Sequence, residues 1–172
     1  MNAHSTRLLL IAWHSRTGAA RQLAEAAEAG ALSASREMAD ERLVVRRLAA
    51  DAVGANDLRA AHGYVFCAPE NLGSLSGAMK ECLDRNYYAV LDELAGRPYT
   101  LAIAAGTDGE GARRQFERVA TGWRLALAAP ALVARNGAQE PEDILAPKIL
   151  AEEHREAAAE LGATVAALLL LA

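Results

Sequence analysis

An apolar run that breaks into a short polar turn and then into a helical pattern constrains this chain more than any other feature. Leu8–Trp13 is apolar throughout, too short for a membrane span and suited to a buried strand. The polar residues 14–18 end in Gly18, and from Ala20 onward alanine and leucine recur at helical spacing. The pattern predicts a strand, a tight polar turn and a helix in direct succession.

The predicted turn has the composition of a phosphate site. A helix N-terminus offers unpaired N–H groups and the positive end of the helix dipole, and the Ser15 and Thr17 hydroxyls and the Arg16 guanidinium stand beside it. The same residue types also suit an ordinary cap and turn. The turn lacks the glycines of a dinucleotide-binding fingerprint and the lysine of a P-loop. Taken alone, it leaves both interpretations open.

Length and charge narrow the class of protein. With 172 residues the chain can bury a substantial core, and we expect one domain over residues 1–172 with a loose lead-in at residues 1–7. A net charge of −4, with both signs mixed along the chain, does not favour nucleic-acid binding. Cys67 and Cys82 lack the paired spacing of a metal site, so we expect two buried hydrophobic side chains and no metal.

The two ends of the chain carry no membrane signal. The N-terminus shows no signal-peptide pattern, and the apolar run Val165–Ala172 is too short for an anchor. We therefore expect a cytoplasmic protein without membrane insertion. The apolar last helix and the Tyr87-Tyr88 pair also predict a homodimer, and both tyrosines suit an interface and a core equally well.

Short apolar segments alternate with amphipathic ones along the rest of the chain, which predicts an α/β fold whose parallel sheet is covered on both faces. Pro69 is expected to end the third strand, and Ser76 to cap the helix that follows. We expect further strands at residues 43–48, 64–68, 100–104 and 131–134, the first of them at an edge of the sheet because of Arg46 and Arg47. Residues 33–40 are expected to form a polar connection. Helices are expected over residues 77–86, from residue 112, and over residues 150–170, the last with Ala157, Ala158, Leu161, Val165 and Leu168 facing inward.

Three predicted loops leave the carboxyl ends of strands, at residues 14–18, 69–76 and 105–111. All three are rich in Gly, Ser, Thr or Asn. Ligands of open parallel sheets bind outside the carboxyl ends of the strands. We therefore expect one ligand that all three loops touch.

With these loops placed, the sequence resembles the flavodoxin-like superfamily, specifically its NAD(P)H-dependent FMN reductase and quinone reductase branch. Ser15–Gly18 is similar to the flavodoxin phosphate loop. Residues 60–84 are similar to the strand, Pro-x-x-x-Gly-Ser loop and Gly-x-x-Lys-x-x-Leu-Asp helix of these reductases, and residues 94–106 to their Gly-Lys/Arg-Pro turn and third loop. The resemblance implies a flavodoxin-like three-layer sandwich around a five-stranded parallel sheet in the order 2-1-3-4-5.

The resemblance also implies a non-covalent FMN that receives electrons from NAD(P)H and passes them to a quinone or another small acceptor. No catalytic side chain is then required, because the flavin carries the chemistry. The implied cofactor-binding residues are Ser15, Arg16, Thr17, Gly18, Ala19 and Ala20 at the phosphate; Pro69, Glu70, Asn71, Leu72, Gly73 and Ser74 along the isoalloxazine; and Gly106, Thr107 and Asp108 on its other side.

Two departures from the family pattern keep other functions open. Thr17-Gly-Ala-Ala20 lacks a hydroxyl that many flavodoxins have, and Leu72 stands where an aromatic residue is common. Tyr87 or Tyr88 of a dimer mate could supply the stacking instead. The alternatives are a flavodoxin-type electron carrier and a flavodoxin-like binding module that has lost flavin.

His14 has two interpretations. It either supplies charge or a proton beside the phosphate loop, or it is a partly solvated turn residue.

Overall fold

The computed structural model describes residues 5–172. Most of the expected loose lead-in lies outside this range, and Arg7, predicted to belong to it, is the first residue of a strand. The strands are β1 (Arg7–Trp13), β2 (Leu43–Ala49), β3 (Gly63–Asn71), β4 (Ser74–Leu75), β5 (Pro98–Ala105), β6 (Ala126–Leu127) and β7 (Leu132–Arg135). The helices are α1 (Ala19–Glu37), α2 (Ala55–Ala60), α3 (Gly77–Tyr87), α4 (Glu110–Gly122), α5 (Pro141–Leu145) and α6 (Glu152–Leu171), with 3₁₀ turns at Ala50–Ala52 and Tyr88–Val90.

The main sheet is parallel, and its order confirms the predicted 2-1-3-4-5 arrangement. The strands run β2-β1-β3-β5, with β2 at one edge as expected from its arginines. The fifth position is shared by β6, which pairs with the beginning of β5, and β7, which pairs with its end. The sequence predicted only the second of these two segments, because β6 is two residues long and exposed.

Helices cover both faces of the sheet, and the alternating side chains of β1 feed two separate cores. Leu9 and Ile11 pack with α1 and α6, whereas Leu10 and Ala12 pack with α2, α3 and α4 on the opposite face. Cys67 belongs to the first core and Cys82 to the second, so the prediction that both are buried hydrophobic side chains is confirmed.

Helix α1 runs through most of the predicted connection at residues 33–40. Its alanine stripe continues through Ala31 and Ala34, which remain buried, while Ser33 turns outward and donates a hydrogen bond to Glu37 at 3.0 Å. The stripe, rather than the polar residues between its members, decides the length of the helix.

The inward face of α6 differs from the prediction at two positions. Leu168 is exposed and Ala157 is only half-buried. The helix packs against both α1 and the sheet, so its buried surface is wider than a single stripe and includes Gly162, Ala166, Leu169 and Leu170. Within residues 5–172, none of the helices combines the length and the apolar character that crossing a membrane requires.

Candidate functional site

The three predicted loops leave the same edge of the sheet. Because β1, β3 and β5 are parallel, their carboxyl ends meet there, with Trp13 level with Cys67, and Pro69 level with Ala104. The backbone N–H of His14 continues the ladder by donating to the Cys67 carbonyl at 3.0 Å. The loop of residues 14–18 therefore starts beside Cys67 of β3.

The start of α1 presents unpaired donors to this edge. Gly18 has φ of +96°, which favours glycine, and its N–H donates to Ser15 Oγ at 3.1 Å. Helix α1 begins at Ala19, and the N–H groups of a first helical turn have no acceptor within the helix. Its first turn contains no acidic residue. The loop and the helix together offer several donors and a positive dipole end without a carboxylate of their own.

A cleft of about 350 Å³ lies against this loop. Arg16 and Arg21, both exposed, add positive charge to it. The donor set fits a phosphate group, which accepts from backbone N–H, hydroxyl and guanidinium groups alike. The cleft is lined by Trp13, Ser15, Arg16, Thr17, Gly18, Arg21, Leu145 and Pro147.

Four lining residues of this cleft were missed by sequence reasoning, among them Arg21, which directly follows the predicted phosphate residues. Trp13 was assigned to a buried strand, although its place as the last apolar residue before the polar turn marks it as a border residue. Leu145 and Pro147 reach the cleft from a segment 126 residues or more after the turn, as the bond between Gln22 and Lys148 shows. No motif in the sequence signals that contact.

His14 joins the loop of residues 14–18 to the start of α3. Its Nδ1 is 2.8 Å from Ser76 Oγ, and burial, with Arg16 as the second cause, lowers the pKa of its imidazole. Ser76 does stand at the N-cap position of α3, as predicted, but its hydroxyl bonds to His14 rather than to the helix backbone. His14 is thus a half-buried structural link between two loops.

Pro69 does not end β3, contrary to the prediction. The strand continues to Asn71, and the expected loop is a hairpin in which Glu70 pairs with Leu75. Backbone groups alternate sides along a strand, so the Pro69 nitrogen faces the β1 side two residues beyond Cys67, where β1 has already ended. The missing N–H therefore costs no ladder hydrogen bond.

The tip of the hairpin is a tight turn with two residues at positive φ. Leu72 has φ of +51° and Gly73 of +72°, the combination of the turns that join two antiparallel strands. Leu72 is fully exposed, while Asn71 and Ser74 beside it are half-buried. The leucine side chain therefore points into solvent rather than into the protein.

Glu70 fastens the hairpin to α4. Its carboxylate accepts from the N–H of Gly109 at 2.9 Å and of Ala112 at 3.1 Å. The approach of the two backbones is close, since a Cβ on Gly111 would lie 1.9 Å from the Gly73 carbonyl oxygen. A protein carboxylate therefore accepts hydrogen bonds from the N–H groups at the start of α4, whereas the first turn of α1 has no such partner among the described residues.

The third loop lies against the segment that follows β7. The Gly106 carbonyl accepts from Gly137 N–H at 2.8 Å, and a Cβ on Gly106 would come within 2.6 Å of the Ala138 oxygen. Thr107 and Asp108 are exposed, and the Asp108 carbonyl accepts from Arg135 at 2.8 Å. The second and third loops are in contact, and residues 15–18 line their own cleft on the same edge.

A larger cleft of about 470 Å³ between α4 and the β6–β7 edge has a different character. Its Arg113 is paired with Glu110 at 2.7 Å and with Glu117 at 2.8 Å, and Arg135 lies 3.2 Å from Glu110. Carboxylates therefore neutralise its arginines. Beside α1 the arginines are less opposed, since among the described residues only Arg21 of that cleft is paired, with Glu25 at 3.7 Å.

Comparison with known proteins decides the family. A family model described as NADPH-dependent FMN reductase matches residues 8–138, more than half of the chain. The chain belongs to this family. A search of curated proteins found no match. The family match ends shortly after β7 and therefore contains all three loops but neither α5 nor α6.

Solved structures with the same fold include a flavodoxin from the domain Archaea, with 14% identity, a TM-score of 0.73, and coverage of 94% of this chain and 98% of that one. A flavodoxin, WrbA-like protein from Agrobacterium tumefaciens has 17% identity and a TM-score of 0.71, with 95% and 97% covered. An oxidoreductase from Corynebacterium diphtheriae has 18% identity and a TM-score of 0.73, with 99% and 100% covered. At these identities the likeness establishes the flavodoxin-like fold, and the family membership supports a flavin-binding oxidoreductase.

Proposed function

We propose that this chain binds FMN non-covalently and serves as a cytoplasmic oxidoreductase that passes electrons from NAD(P)H to a quinone or another small acceptor. One observation carries the proposal. The start of α1 faces a cleft with unpaired backbone donors and arginine side chains, and no residue of its first turn is acidic. Membership of the FMN reductase family supports the flavin, while the identity of donor and acceptor is part of the proposal.

The phosphate end of the cofactor would be held by residues 15–20. The N–H groups of Ala19 and Ala20 and the positive end of α1 would bind the phosphate oxygens. Ser15 Oγ accepts from Gly18 N–H, which leaves its own proton free to be donated to the ligand. The guanidinium of Arg16 would take the place of the hydroxyl that the turn lacks.

The ring end would be bordered by the hairpin, residues 69–74, and by Gly106–Asp108. The two hydrogen bonds of Glu70 and the pairing of β3 with β4 hold the hairpin backbone in place without a mobile side chain. His14, whose pKa is lowered by burial, would hold the phosphate loop at a fixed distance from α3 through Ser76. When bound, FMN would supply the two-electron chemistry, taking a hydride from the nicotinamide and delivering the electrons to the acceptor.

The first test is the visible spectrum of the purified protein after incubation with FMN and removal of the excess, with Gly18→Asp as the variant. The added carboxylate would compete with the phosphate at the start of α1, and repulsion at 4–8 Å with an effective dielectric of about 20 predicts a loss of affinity of roughly 30-fold or more. The matched control is Gly96→Asp. Both glycines have positive φ, +96° and +79°, but Gly96 lies two residues before β5, and a Cβ there would meet open space.

Flavin retention by the wild type and by Gly96→Asp, but not by Gly18→Asp, is the expected result. If the wild type retains no flavin, the chain is a binding module that has lost it. An anaerobic titration with NADPH then separates the remaining functions, since direct bleaching of the flavin indicates an oxidoreductase and bleaching only through a partner reductase indicates an electron carrier.

We also propose that the protein is a homodimer. Tyr88 is 83% exposed with its ring 5.0 Å from that of Tyr87, and Leu91 beside them is half exposed. This apolar surface, rather than α6, supports the proposal, because most of the apolar side chains of α6 pack inward. Sedimentation equilibrium should give a dimer that Tyr88→Glu dissociates. A wild type that is monomeric at micromolar concentration would contradict it.

A further inference from the structure

The segment from residue 141 to residue 150, which we call the strap, crosses the carboxyl edge of the sheet and contacts the loop of residues 14–18. It lies entirely outside the family match, which stops at residue 138. The strap begins with α5 and ends at Leu150, which is buried in the core beneath α1 and α6. On the way, Lys148 N–H donates to the Thr17 carbonyl at 2.7 Å. The strap is thus bonded directly to the loop proposed to hold phosphate.

Gln22 doubles this connection. Its side-chain amide donates to the Gly18 carbonyl at 3.1 Å and to the Lys148 carbonyl at 2.7 Å, and its oxygen accepts from Leu150 N–H at 3.1 Å. One half-buried side chain on the first turns of α1 therefore holds the strap on both sides of Ile149. The bonding uses both polar ends of the amide, so the strap has a fixed position relative to Gly18.

The strap keeps its own shape through Lys148. The Lys148 ammonium donates to the carbonyls of Ala146 at 2.6 Å, of Ile144 at 3.2 Å and of Asp143. It thereby binds the carboxyl end of α5 and folds the strap back on itself. As a result, Leu145 and Pro147 stand opposite Ser15–Gly18 and form the far wall of the 350 Å³ cleft.

We propose that the strap forms the far wall of the phosphate site and that Gln22 is the positioning residue that fixes the strap relative to Gly18. The proposal rests on the proposed function, since it takes the cleft beside α1 as the FMN phosphate site. The exposure of the wall supports it. Leu145 is 78% exposed although it faces the hydroxyls, backbone donors and arginines of residues 15–21 across a cleft that Trp13 also lines, and the packing of the fold does not require this exposure.

The test compares Leu145→Asp with Ile149→Asp, using FMN and riboflavin as probes. Ile149 is 86% exposed on the same strap but does not line the cleft, so both variants keep the core and add the same charge. Leu145→Asp should weaken FMN binding roughly tenfold or more and leave riboflavin binding within about twofold, because only FMN places a phosphate beside the new carboxylate. Ile149→Asp should change neither affinity by more than about threefold.

A second variant, Gln22→Met, keeps the length of the side chain and removes its two hydrogen bonds to the strap together with the one to the Gly18 carbonyl. It should lower FMN affinity roughly tenfold, spare riboflavin, and abolish the protection from hydrogen exchange that FMN gives to the amides of residues 141–150 in the wild type. Gln139→Met, on exposed chain just before the strap, is its matched control. A role in stability alone would lower the unfolding temperature without changing the FMN-to-riboflavin affinity ratio.

Equal FMN affinities for Leu145→Asp, Ile149→Asp and the wild type would overturn the strap proposal while leaving the proposed function intact. Loss of riboflavin binding in parallel with FMN would also overturn it, since the effect would not act on the phosphate. A wild type that binds neither flavin would overturn the proposed function first, and the strap proposal with it.

Discussion

Helices α1 and α6 touch backbone to backbone, and adding one methyl group at the contact should cost stability. A Cβ on Gly162 would lie 1.9 Å from the Ala27 carbonyl oxygen, and a Cβ on Gly30 would lie 2.0 Å from that of Ala159. Real Cβ atoms essentially never come within 3.0 Å of such an atom, so Gly162→Ala must move the helices apart by more than an ångström. Neither obstructing atom is the end of a flexible side chain that could turn away.

The expected loss of stability in Gly162→Ala is the difference between a packing cost and a gain in helix propensity. Overpacking against a rigid neighbour costs about 3 kcal/mol at the upper end of the usual range. The higher helix propensity of alanine returns about 1 kcal/mol. Gly162→Ala should therefore destabilise the fold by about 2 kcal/mol, which corresponds to a fall in Tm of roughly 4–8 °C for a chain of this size.

Thermal and urea unfolding followed by circular dichroism measure this, with Gly122→Ala as the control. Gly122 is the last residue of α4 and has nothing within 4 Å of its would-be Cβ, so the same substitution should be neutral or slightly stabilising. Gly30→Ala combined with Gly162→Ala should cost less than the sum of the two, because the first methyl already separates the helices. If Gly162→Ala were as stable as Gly122→Ala, the reasoning would be refuted.

Three further predictions concern single groups. Glu70→Gln should lower the free energy of unfolding in urea by about 1–2 kcal/mol, because one charge-assisted hydrogen bond to the start of α4 is lost. An unchanged unfolding midpoint would contradict a stabilising role for the bonds between Glu70 and α4. Burial raises the pKa of Cys67 to about 12 and of Cys82 to about 11, so iodoacetamide at pH 8 should label neither until the protein is unfolded. Burial, aided by Arg7 and Arg97, lowers the pKa of His62, whose Nδ1 accepts from Leu8 N–H at 3.0 Å. The unfolded chain then binds a proton near pH 6.5 that the folded chain resists, so stability should fall as the pH drops through 6.5, and His62→Gln should flatten that slope.

The residues around the cleft beside α1 show which parts of the structure local sequence patterns can predict. Strand, turn and helix around residues 8–24 follow from periodicity and from one glycine, since each depends only on neighbouring residues. The placement of all three loops on one edge followed from the rule that parallel strands share a direction, and the structure confirms it. The pairing of residues 15–18 with Leu145 and Pro147 could not be predicted, because no spacing rule relates residues so far apart.

The second loop shows a different limit. Proline normally ends a strand, and the prediction that Pro69 ends β3 applied that rule without knowing where β1 stops. The neighbour's end makes the missing N–H harmless, and this is a property of the sheet, not of the residue. The Ser76 hydroxyl likewise had two possible partners, its own helix and His14, and only the fold brings the second within 2.8 Å.

Hydrophobic periodicity therefore determined most of the elements, because it acts over a few residues at a time. The order of the sheet was implied by a family resemblance that short motifs carry. Tertiary structure alone decided that Glu70 bonds to the start of α4 while the start of α1 is left without a carboxylate, and that Leu145 and Pro147 line the cleft beside the latter. The reason is physical. A helix start is completed by whichever acceptor lies nearest in space, and that distance is set by how the elements pack.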